Sequence, residues 1–86
     1  MLAVHPAVAQ PQCGERSDVL EFLSKKYNEA PVAAGVTNTG GLVEVLTDSR
    51  SGTWTIIVTS PQGISCFVAA GEGWRDSIPK PLGQSA

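Results

Sequence analysis

Side chains able to do chemistry are few in this chain and poorly spaced for it. The single histidine, His5, falls within the first nine residues. The segment after it therefore has no Ser–His or Cys–His nucleophile arrangement and lacks the commonest metal ligand. The two cysteines, Cys13 and Cys66, stand far apart with no C-x-x-C between them, so neither a thioredoxin-type site nor a haem attachment site is present. No phosphate-cradling G-x-x-x-x-G-K-S/T occurs, and Gly71-Glu72-Gly73 is too short for a dinucleotide fingerprint. Carboxylates remain. Glu44, Asp48 and Glu72 could converge at one end of a sheet, one as general acid and one as base. Read as solvated surface acids they have no task, and no pKa-raising setting is legible around them. The expectation is that the protein is not an enzyme and has no catalytic residue, cofactor or metal.

Size and charge narrow the remaining classes. Eighty-six residues make one domain with a thin core, the range in which a disulfide, a metal or a partner usually adds stability. The net charge is −2, and the six basic residues are scattered. Nucleic-acid binding needs them clustered, so no nucleic-acid partner is expected. No apolar run approaches the roughly 20 residues of a membrane span.

Residues 1–9 look foreign to the domain. Met1-Leu2-Ala3-Val4 is apolar, and Ala7-Val8-Ala9 before Gln10 fits a secretory cleavage rule. Two readings fit: a signal-peptide remnant, or a disordered Ala-rich leader. Pro11 and Gln12 stand where a lipobox has small apolar residues, which argues against a lipid anchor on Cys13. In an exported small domain two cysteines suggest one bridge, Cys13–Cys66, worth about 4 kcal/mol in the chain-entropy picture. Two buried free thiols in a cytosolic protein are the other reading.

The elements that would position these residues follow from periodicity. Val19, Leu20, Phe22, Leu23 and Tyr27 recur at helical spacing and predict a helix over 15–27. Asp18 lies near its start and Lys25 and Lys26 at its end, which suits the helix dipole. Gly14 or Ser17 would cap the N-terminus, and Asn28 the C-terminus. A weaker strand over 31–37 contains Pro31 and Gly35, signs of an edge or a bulge. Asn38-Thr39-Gly40-Gly41 makes a hairpin loop into a strand over 42–47. A polar turn then leads into strands over 53–59 and 64–70, joined at Ser60-Pro61-Gln62-Gly63.

Period two splits the third strand into Trp54, Ile56 and Val58 against Thr53, Thr55, Ile57 and Thr59. The tryptophan side is the expected core face, with Val43 and Val45 beside it against the helix. That leaves Leu42, Leu46, Ile57 and Phe67 on an open face. Short links imply antiparallel neighbours. The fold class expected is α+β: one N-terminal helix packed on a four-stranded antiparallel meander with one disulfide. The single domain covers 10–76, with a disordered tail at 77–86.

Gly73-Trp74-Arg75 has two readings. Trp74 folds back to cap a small core with Arg75 over its ring, or it stands out as an aromatic anchor rimmed by Glu72 and Arg75. Cys13-Gly14 opening a helix, Tyr27-Asn28-Glu29-Ala30-Pro31-Val32, Gly52-Thr53-Trp54-Thr55, Pro61-Gln62-Gly63, Cys66 and Gly71-Glu72-Gly73-Trp74 form a pattern. It resembles a family of small exported (periplasmic) proteobacterial proteins of unassigned function. The resemblance implies an exported single domain and transfers no catalytic residue. The expected function is protein binding by a periplasmic or secreted interaction module. It would engage a protein partner or form a homodimer through the open sheet face, with Ile57, Phe67, Glu72, Trp74 and Arg75 as binding residues. The alternative is an inhibitor of a periplasmic or secreted enzyme, presenting the loop at 48–52 or 38–41.

Overall fold

Stretches of period two, separated by Gly, Pro and Asn, become strands joined by tight turns. The computed structural model describes residues 12–76, and the leader at 1–9 and the tail at 77–86 lie outside the described residues. In chain order the elements are β1 (Cys13–Glu15), α1 (Arg16–Tyr27), β2 (Ala30–Val36), β3 (Leu42–Thr47), β4 (Trp54–Thr59) and β5 (Ile64–Gly71). They form one five-stranded sheet of order β1-β5-β4-β3-β2, antiparallel at every pairing.

The expected four-stranded meander is present as β2 to β5. The correction is a fifth strand ahead of the helix. β1 sets Cys13 opposite Cys66 and Glu15 opposite Ile64. Three residues carry no readable period, so nothing local announces this strand. It is held by the Cys13–Cys66 disulfide, which spans 53 residues, and by the Arg16 amide donating to the Gly63 carbonyl at 3.0 Å.

α1 starts after Glu15, which has extended backbone and gives no side-chain cap, so neither Gly14 nor Ser17 takes that role. It stops at Asn28, in the left-handed region at φ 57°. The Asn28 and Glu29 amides donate to the carbonyls of Ser24 and Leu23, the pairing that closes a helix and turns the chain back. β2 fits the edge role its proline implied: all seven of its residues are exposed, and its register shifts between Pro31 and Ala33. A proline and a bulge both blunt an edge against unwanted strand pairing.

The face assignment is inverted relative to expectation. The core is Val19 and Leu23 of α1 on Leu46 and Ile57 of the sheet, with Leu20 and Phe67 packed beside them. Ile57 and Leu46 are fully buried, so the helix covers the threonine side of β4. Beneath or around it lie Glu44, Thr55, Thr59 and Ser65, all buried. Ile57 and Phe67, expected on an open face, are instead beneath the helix. The polar groups are tolerated there because they satisfy one another. Thr59 and Ser65 hydroxyls share a 2.6 Å hydrogen bond, and Arg16 donates to both Glu44 oxygens, at 2.9 and 2.8 Å. Buried polar groups paired in this way lose little relative to water.

Candidate functional site

The side of the sheet that α1 does not cover is the more apolar one. Register places Val43 opposite Val58 and Val45 opposite Ile56, while Thr47 opposes Trp54. These four aliphatic residues and Trp54 are only half-buried, and no element of residues 12–76 lies on them. Trp54 extends the patch towards β5, where its indole lies against Gly71. A Cβ at that glycine would come within 3.0 Å of the Trp54 ring, so the close approach needs a residue without one. The Trp54 Nε1–H donates to the Glu72 carbonyl at 3.2 Å.

Trp74 completes this end. Its amide donates to the Gly52 carbonyl at 2.9 Å, and its ring centre lies 6.1 Å from that of Trp54. The Trp74 indole N–H donates to Asp76 at 3.1 Å. Trp74 is thus folded back and half-buried, while Glu72 and Arg75 stay exposed. Of the five expected binding residues, Trp74 packs beside Trp54 at the end of the helix-free face, Glu72 lines the groove under the helix, and Arg75 is exposed. Ile57 and Phe67 belong to the other side.

The three carboxylates weighed for acid–base work are not brought together. Glu44 is committed to Arg16. Asp48 is held within its own turn: Ser51 Oγ donates to it at 2.7 Å, and the Arg50 amide and Asn28 Nδ2 each at 3.1 Å. The Ser51 hydroxyl, then the Arg50 amide, hold the Asp48 carboxyl down at about 2 against an ordinary 3.8, while burial pulls the other way. Glu72 lines a groove that includes neither of the other two. Among the described residues no group of three or more His, Cys, Asp or Glu could hold a metal ion. No helix there is long and apolar enough to cross a membrane.

That groove is the second feature of interest. It is an open groove of about 510 Å³ between the C-terminal half of α1 and the adjoining ends of β4 and β5. Phe22, Tyr27, Phe67 and Leu23 give it apolar walls, and Glu29 contributes a carboxylate. Phe22 and Tyr27, counted in the buried helix stripe by spacing, are 48% and 43% exposed. They meet edge to face at 6.0 Å. Sequence reasoning gave Glu29 no role. The signal was Asn28: a left-handed closure there turns the next residue under the helix, which leaves Glu29 only 3% exposed.

No protein-family model, curated protein or solved structure matches the chain.

Proposed function

We propose that the protein is an exported, non-enzymatic interaction module that pairs with a second copy of itself through the helix-free face of its sheet. One observation carries the reading. The only helix among the described residues covers Leu46, Ile57 and Phe67 together with threonine, serine and glutamate, while Val43, Val45, Ile56, Val58 and Trp54 lie half-buried on the side it does not cover. A small domain gains from burying every large apolar side chain it has, so a face of this composition calls for an occupant.

A second copy fits because these five residues carry no charge. Two such faces meeting about a two-fold axis set no like charges against each other. From strand spacings these five residues, on two neighbouring strands, cover about 10 by 14 Å, roughly 140 Å². That is well below the roughly 800 Å² each partner gives to a standard interface, so the pairing is weak and concentration-dependent. The resemblance of the sequence pattern to exported proteins supports a periplasmic or secreted location, as does a disulfide, which persists in oxidising compartments.

Light scattering from micromolar to millimolar protein tests the reading. The mass should climb from monomer towards dimer, and Ile56→Lys should hold it at monomer while leaving the fold intact. A monomer at every concentration removes self-association. It would leave a different protein partner on this face, or the inhibitor reading, which draws on the turn at 48–52 held by the bonds to Asp48.

A further inference from the structure

The groove beneath α1 runs to the end of β4, where Trp54 and Glu72 also line it, and it contains a group left without a use among the described residues. Glu29 is 3% exposed, and its Oε1 is buried with no hydrogen-bond partner among the described residues. Glu44 is equally buried, yet Arg16 meets both of its oxygens. A buried carboxylate oxygen without a donor costs free energy that a neutral side chain there would avoid. Its surroundings indicate what the missing donor is. The groove walls are the aromatic rings of Phe22, Tyr27 and Phe67, a second carboxylate, Glu72, lines the groove, and no lysine or arginine does.

We propose that this groove binds an alkylammonium group: a primary ammonium on a short apolar body. The ammonium sits against the Glu29 carboxylate, whose Oε1 has no partner among the described residues. The apolar body lies along Phe22 and Phe67, whose rings also attract a cation. A volume of about 510 Å³ falls within the usual range of small-ligand sites. Glu29 and Glu72 together disfavour anions. A quaternary ammonium has the charge but no N–H for Oε1, so it binds less well. A free amine and a lysine side chain share this chemistry.

Amide chemical-shift titration of the full chain, with n-butylammonium as probe, tests the assignment. Resonances of Phe22, Leu23, Phe67 and Ala70 should shift and saturate. 1-Butanol and tetramethylammonium should each bind about ten-fold more weakly, the loss expected for a charged hydrogen bond. Glu29→Gln should lose a similar factor. Phe22→Ala, at an exposed position, should weaken binding with the helix content unchanged, and it serves if Glu29→Gln does not fold. Nα-acetyl-lysine-N-methylamide, run in parallel, separates the two sources: tighter binding than n-butylammonium marks a lysine side chain, and weaker binding marks a free amine. Absence of saturation, shifts confined to other regions, or equal affinity for 1-butanol would overturn the assignment.

Discussion

Glu44 beneath a helix would be hard to account for without Arg16, which reaches it from 28 positions away in the chain. The two partners are unequally placed: the Arg16 side chain is 39% exposed and that of Glu44 only 4%. Removing Arg16 strands a buried carboxylate, whereas neutralising Glu44 leaves a guanidinium that can still reach water. Arg16→Met should therefore cost about 2–3 kcal/mol in urea unfolding and Glu44→Gln about 1 kcal/mol. Equal losses would show that the pair is not buried on one side as described. Asp48 provides the pH handle. Folding holds its carboxyl at about 2 rather than 3.8, so the folded state favours the charged form. Its contribution is complete above about pH 4 and fades as pH falls towards 2. Asp48→Asn should flatten the acid limb of the stability curve in that window, measured by denaturant midpoints. An unchanged limb would contradict the hydrogen bonding assigned to Asp48.

At the scale of elements, four strands and the helix were legible because each carries a period and a stop signal. Trp54 to Thr59 alternates, Pro61 and Gly63 turn the chain, and Asn28 closes the helix. Two things were not legible. Alternation divides a strand into two faces but does not say which one a helix will cover. The tryptophan side looked like core on hydropathy alone, and the long-range pairs that make the other side tolerable, Arg16 with Glu44 and Thr59 with Ser65, leave no local trace. β1 was missed because Cys-Gly-Glu has no pattern, and it becomes a strand only through its tie to β5. The Cys13–Cys66 pairing was readable, but its consequence for the sheet was not. Replacing both cysteines by serine should lower stability by about 4 kcal/mol for the loop of 53 residues. The Phe67 amide, which donates to the Gln12 carbonyl at 2.9 Å, should then lose hydrogen-exchange protection before the amides shared by β3 and β4. A loss below about 1 kcal/mol would mean that β1 is held by other contacts.

Taken whole, the molecule is a sheet with two unlike sides. One side is closed by α1 and leaves a groove lined by Glu29, whose Oε1 has no partner among the described residues, and the other presents Val43, Val45, Ile56, Val58 and the Trp54–Trp74 pair with no element of residues 12–76 over them. On the proposed reading, a helix-and-sheet domain this small completes its burial by pairing. The most direct test is methyl NMR with a soluble paramagnetic relaxation agent, run at micromolar and at millimolar protein. In dilute solution the methyls of Ile56, Val45 and Val58 should broaden while those of Ile57 and Leu46 stay sharp. At high concentration the first group should become protected as well. Broadening of Ile57 and Leu46, or exposure of Ile56 that does not change with concentration, would contradict the account.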